Sequence, residues 1–184
     1  KIRSAEGGSL FLDEVTTMDD RAQVSLLRVL ETGTYHRVGG SRVQRSDVRI
    51  LAATNEDIQQ AIAEGRFRED LFYRLNVFPL SVPPLRERRE DITPLAEHFI
   101  RNHSFSRRID KRLSAAASRR LIAYDWPGNI RELKNVIERA VLLSETPYIR
   151  QEDLHRLLVG EVNREDRMHG ETVRVEVALM DGDR

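Results

Sequence analysis

Three short apolar runs each stop on polar or ring-constrained residues, with helix-length stretches between them. Ser9-Leu10-Phe11-Leu12 follows Gly7-Gly8 and stops at Asp13-Glu14. Val48 to Thr54 stops at Asn55, and Val77 to Val82 stops at Pro83-Pro84. Apolar runs of this length, bounded by glycine or proline, read as buried strands. Asp19 or Asp20 caps a helix that runs to about Glu31 and stops at Gly33, with Val24, Leu27 and Leu30 on its apolar stripe and Leu26 beside it. Asn55 is expected to cap a shorter helix that Gly65 stops. Arg68 to Asn76 reads as another helix. Strands alternating with helices imply a parallel α/β sheet.

Beyond Pro84 the pattern turns helical. Asp91 and Ser114 are placed to cap two helices. Asn129, with Glu132 three residues later, opens a third in the manner of a capping box. A short helix is expected over Gln151 to Val159. The predicted organisation is an α/β part over residues 1–84, a small all-α part over 85–159, and a charged tail over 160–184 to which no role is assigned. Within that tail, Val173 to Leu179 alternates apolar and polar residues as one strand would.

Composition removes several classes. The 30 basic residues balance the 30 acidic ones, whereas a dedicated nucleic-acid module carries a basic surplus. There is no cysteine, hence no disulfide frame and no thiolate metal site. No apolar stretch is long enough to span a bilayer and no signal peptide is visible, so no membrane partner is expected. The basic cluster Arg107-Arg108, Lys111-Arg112 and Arg119-Arg120 reads as a solvated face. Because the first residue is Lys1 rather than Met, the chain is expected to be a piece or a processed product.

The chemistry gathers where the predicted strands end. Asp13 and Glu14 leave the carboxyl end of a strand, which is where open α/β sheets place ligands. There one acid can hold a hydrated magnesium ion and the next can orient an attacking water. Two solvated acids at a strand end are the plainer reading. Thr54-Asn55 ends the second run, and an amide there can bond both a water and a carboxylate, although Asn55 also suits a helix cap. Arg68 and Arg74 can neutralise charge developing in phosphoryl transfer. On a regular helix their spacing sets them about 240° apart, and an Arg74–Asp70 ion pair is the surface alternative. Arg68 is the preferred finger. Arg131, in the first turn of its helix, opposes the helix dipole, which makes sense if it faces an anion. A pair with Glu132 is the alternative.

Four segments in order, Gly7-Gly8-Ser9-Leu10-Phe11-Leu12-Asp13-Glu14, Ala52-Ala53-Thr54-Asn55, Phe67-Arg68-Glu69-Asp70-Leu71-Phe72-Tyr73-Arg74-Leu75 and Trp126-Pro127-Gly128-Asn129-Ile130-Arg131-Glu132-Leu133, resemble the AAA+ domain of sigma-54-dependent transcription activators. In that family they are the Walker B segment, sensor I, the arginine fingers and sensor II. The resemblance covers about Ala5 to Leu158. It implies a partial AAA+ P-loop NTPase sheet followed by a helical lid. It further implies ATP and Mg2+ as ligands and a ring, a hexamer in the intact protein, that remodels the sigma-54 RNA polymerase holoenzyme in the cytoplasm.

The resemblance also assigns roles. Asp13 holds magnesium, Glu14 polarises water and Asn55 senses the γ-phosphate, with Thr54 and Asn129 beside the nucleotide. Arg68 and Arg74 act across the ring interface and Arg131 acts within its own subunit. Arg37 to Arg45 matches a pore loop. DNA is expected to be bound only through a domain outside this chain.

Neither G-x-x-x-x-G-K-[ST] nor GAFTGA occurs in the chain, and in the family both precede the Walker B segment. The resemblance also places the family's first strand between the fourth and the fifth. Without it, Val77 to Val82 is expected to lack a neighbour, and the isolated chain is expected to be poorly stable and inactive in ATP hydrolysis. A non-catalytic remnant serving as a protein-interaction module is the alternative. A DNA-binding use of the helix after Asn129 is opposed by the neutral charge and by its apolar stripe, Ile130, Leu133 and Val136.

Overall fold

The computed structural model describes residues 1–36, 42–102, 110–162 and 173–178. It divides into two compact units: Lys1–Val82 together with Glu171–Arg184, and Pro83–Gly170.

In the first unit β1 (Ser9–Leu12) pairs in parallel with β4 (Arg49–Thr54), Leu12 lying opposite Ala52. The two strands therefore deliver Asp13-Glu14 and Thr54-Asn55 to the same edge. Helix α1 (Asp20–Thr32) starts where the Asp19 carboxylate accepts the Ala22 N–H, and it ends at Gly33 in the left-handed region. Helices α2 (Ile58–Ala63) and α3 (Glu69–Leu75) follow β4. Ile50, Ile58, Leu71 and Leu75 are fully buried in this unit's core. β1 is buried on one face only. Leu10 and Leu12 pack against the core while Phe11, between them, is 55% exposed. Strands β2 (Thr34–His36) and β3 (Val43–Arg45) pair antiparallel. Residues 37–41 of the Arg37–Arg45 segment lie outside the described residues.

The sheet order is β1-β4-β8-β5, with β5 spanning Phe78–Val82 and β8 spanning Val173–Ala178. β8 runs antiparallel to both of its neighbours, so β1, β4 and β5 all point the same way. This corrects two expectations. The sheet is not wholly parallel, and the Val77 to Val82 segment does not lack a neighbour. Backbone N–H and C=O groups beside β4 require partners, and the alternating tail segment supplies them to β4 and β5 at once.

In the second unit, α4 (Ile92–Asn102), α5 (Ala115–Ala123), α6 (Asn129–Leu143) and α7 (Gln151–Val162) enclose a separate core. Leu85, Ile92, Trp126, Leu133, Ile137 and Leu154 are fully buried there. A two-residue parallel bridge joins β6 (Arg112–Leu113) to β7 (Tyr148–Ile149), so this unit is not purely helical. Lys111 departs from the solvated face expected of its cluster. It is buried, and its ammonium donates to the Ser144 carbonyl, to Ser144 Oγ at 2.8 Å and to the Thr146 carbonyl at 2.7 Å. Arg107 and Arg108 lie outside the described residues. Among the described residues, no helix is long and apolar enough to cross a membrane.

Candidate active site

Glu14 sits just past the end of β1 in the left-handed backbone region, with φ 53° and ψ 52°. A non-glycine residue there is strained. Local bonds hold it. Its carbonyl accepts the Thr17 N–H at 3.0 Å and the Thr17 hydroxyl at 2.7 Å. Its carboxylate Oε2 accepts the backbone N–H of Asn55 at 3.4 Å. The ends of β1 and β4 are thereby joined, and Glu14 and Asn55 stand side by side. Asp13 is exposed and takes part in no ion pair among the described residues.

Asn55 does not cap the helix that follows. Asp57 does, its carboxylate accepting the Gln59 and Gln60 N–H groups at 2.9 and 3.3 Å. The reason is a tight turn in which Thr54 Oγ1 accepts the Glu56 N–H, so the helix starts three residues after Asn55. The half-buried Asn55 amide is left for other work. Thr54 is buried. Its hydroxyl shares a 3.0 Å bond with Thr16 Oγ1 and serves the Glu56 N–H. Thr54 fastens the two strand-end loops together.

Arg68 is not within a helix turn. It precedes α3 in an extended conformation, φ −79° and ψ 131°, so the 240° separation from Arg74 does not apply. Its guanidinium donates to both Asp70 oxygens, Nε at 2.9 Å and Nη2 at 2.6 Å. Those bonds raise the Arg68 pKa and lower that of Asp70. The Arg74–Asp70 pair of the surface alternative therefore does not form. Arg74 is exposed and reaches Glu31 at 3.6 Å. The two arginines are not brought together.

In the second unit, Trp126 is fully buried in the left-handed region, and its indole N–H donates to the Leu121 carbonyl at 2.8 Å. Asn129 neither caps α6 nor opens a capping box. Its Oδ1 accepts the Leu85 N–H at 2.7 Å, tying the linker to the start of α6. The buried Glu132 carboxylate accepts the Gly128 N–H at 2.9 Å, which makes Gly128 the residue at the cap. Arg131 is exposed and forms no pair with Glu132 or any other described residue, so the surface alternative for it is not realised.

Residues 1–81 match the family described as the sigma-54 interaction domain, and residues 86–171 match the AAA+ ATPase lid domain. The first part of the chain belongs to the sigma-54 interaction domain family. It is 53% identical over 146 residues to the phenol regulator MopR of Acinetobacter guillouiae, a match covering 79% of this chain and 26% of that protein. It is 48% identical over 162 residues to the DNA-binding transcriptional regulator NtrC of Rhizobium meliloti (strain 1021), covering 88% of this chain and 34% of that protein. Among solved structures, NtrX from Brucella abortus in complex with ATP superposes with a TM-score of 0.76 at 40% identity, covering 83% of this chain and 36% of the other. The chain thus spans about a quarter to a third of the length of the curated relatives it matches.

The magnesium ion implied by this AAA+ relationship has a fitting donor. Among the described residues no group of three or more acidic or histidine side chains could hold a metal. Magnesium does not need one. It keeps several waters and binds through one or two carboxylates together with substrate phosphates. The exposed carboxylate of Asp13, next to Glu14 at the strand end, suits that mode.

Gln23 stands where Val24 was expected on the buried stripe of α1: Val24 is 50% exposed, and Gln23, Leu26 and Val29 form the buried face. A glutamine among leucines reads as a surface residue. Its burial follows from partners far along the chain, Arg66 and Arg68.

Proposed function

We propose that this chain is the later part of the ATP-hydrolysing domain of a sigma-54-dependent transcription activator. In that reading the intact protein is a ring, a hexamer, that remodels the sigma-54 RNA polymerase holoenzyme in the cytoplasm. DNA binding belongs to a further domain. The observation that supports this most is the Glu14–Asn55 junction at the ends of two adjacent parallel strands. A carboxylate that can orient a water, and a residue whose side-chain amide can bond a phosphate, thus share one strand edge, joined through the Asn55 backbone N–H.

In this reading ATP supplies the phosphoanhydride and Mg2+ neutralises its charge. Asp13 would hold the ion and Glu14 would draw the proton side of the attacking water. The Asn55 amide would report the γ-phosphate, and Arg131 would offer an unpaired guanidinium within its own subunit. Arg68, with Arg74 as the second candidate, would be presented to a neighbouring subunit.

One observation favours a non-catalytic interaction module instead. The slot beside Thr54 is filled by β8, with residue 174 in register with Thr54. A strand delivering a phosphate loop into that slot would have to displace it. The deciding experiment is to read the coding DNA upstream of Lys1 in frame for about one domain length. The ATPase reading expects G-x-x-x-x-G-K-[ST] followed by GAFTGA. A nearby start codon with neither motif would leave the interaction module.

A further inference from the structure

We propose that Gln23 is a positioning residue that couples the strand-end pair Glu14–Asn55 to the finger-bearing Arg68 segment. Its catalytic meaning rests on the ATPase reading above. Gln23 is fully buried in the first turn of α1. Its amide nitrogen donates to the Met18 carbonyl and to the Arg66 carbonyl, both at 2.9 Å. Its amide oxygen accepts the Arg68 N–H at 2.9 Å. Two carbonyls at one end and an N–H at the other fix the amide's orientation, and both of its donors are used.

The two segments it joins are the two that matter. Met18 ends the short turn that begins at the strained Glu14, a turn closed by the Thr17 N–H and hydroxyl on the Glu14 carbonyl. Arg66 and Arg68 flank Phe67, which is itself buried. A second, exposed link runs from the other strand end. Glu56, next to Asn55, pairs with Arg66 at 2.9 Å, and Arg66 also pairs with Glu64 at 2.8 Å. Exposed ion pairs hold geometry weakly, whereas a buried amide with all its partners inside the protein holds it firmly. Contacts therefore run from Glu14 through Met18 and Gln23 to Arg68, and return through Arg66 and Glu56 to Asn55. A shift of the Glu14 turn is carried to the backbone from which the Arg68 guanidinium extends.

Amide hydrogen exchange on the 184-residue chain tests the coupling. Gln23→Met keeps the volume and removes all three bonds. Protection is expected to fall at least tenfold at Arg68 and, together with it, at Thr17 and Met18, while Ile50 in β4 and Ser144 in the second unit keep theirs. A uniform loss across the chain, or a loss confined to one of the two segments, would overturn the proposal. If Gln23→Met fails to fold, Gln23→Glu decides. It keeps the acceptor for the Arg68 N–H and sets a carboxylate against the Met18 and Arg66 carbonyls. Arg68, Thr17 and Met18 are then expected to lose protection together, and a loss confined to either segment would overturn the coupling. In the full-length protein, Gln23→Met is expected to lower kcat at least tenfold with KM for ATP within twofold. A raised KM with kcat retained would contradict a positioning role. Absence of hydrolysis with Gln23 in place would refute the ATPase reading, and exchange would still decide the coupling.

Discussion

Asp70 accepts two N–H bonds from the Arg68 guanidinium, at 2.9 and 2.6 Å, across the start of α3. The contact depends on pH in a defined sense. The Arg68 hydrogen bonds hold the Asp70 carboxyl below its ordinary range, so the ionised form is favoured in the folded chain. The contribution is complete above the ordinary aspartate range and is lost as pH falls through the depressed pKa. A carboxyl-carbon NMR titration is expected to place Asp70 below the ordinary aspartate range. Because both partners are exposed, Asp70→Asn should leave stability within about 0.5 kcal/mol while speeding exchange of the Arg68 Nε–H. A titration of Asp70 within the ordinary aspartate range would show that the pair does not form in solution.

Gly128 is required by contact. A Cβ built there would lie 2.8 Å from the Glu132 Cβ, closer than side chains approach. Gly128→Ala should destabilise the second unit by about 1–3 kcal/mol, read from the denaturant midpoint at unchanged slope. Ala at Gly7, where a Cβ meets nothing within 4 Å, faces only the cost of its φ of 70°, about 1 kcal/mol. The larger loss at Gly128 is the expected order.

Among the described residues, β5 has β8 as its only partner in the sheet. Val175 is in register with Ala53 on one side and Leu80 on the other. Val175→Pro removes one N–H from the middle of a central strand. Amide protection at Leu80, Ser81 and Val82 should then fall by about tenfold or more, while the amides of unit two are unchanged. Persistent protection of β5 in this variant would mean that another segment pairs with it.

Local signals were readable and distant ones were not. The Asp19 cap and the Gly33 stop of α1 are set by neighbours within a turn, and the order strand, helix, strand follows from the apolar runs. The Glu14–Asn55 pair was placed correctly at one sheet edge because both residues end runs that pair in parallel. The Asn55 cap failed by two residues, since the Thr54 hydroxyl draws the chain into a turn before Asp57 can cap. Gln23 and Lys111 were illegible for a different reason. Gln23 is satisfied by groups 43 and 45 residues away and Lys111 by groups 33 and 35 away. No periodicity marks a polar residue whose partners arrive from another element. The alternation of Val173 to Ala178 revealed a strand and was silent on its neighbours, because alternation identifies a face and not a partner.

The most direct test of the composite site is to mix two dead subunits of the full-length protein. In the ATPase reading, Glu14→Ala removes water activation and keeps the finger, and Arg68→Ala removes the finger and keeps water activation. Each variant alone should be inactive in ATP hydrolysis. If Glu14 acts within a subunit and Arg68 acts across the interface, mixed rings contain sites with both groups intact, and activity returns on mixing. Mixtures as inactive as either variant alone, in rings shown to exchange subunits, would contradict the account.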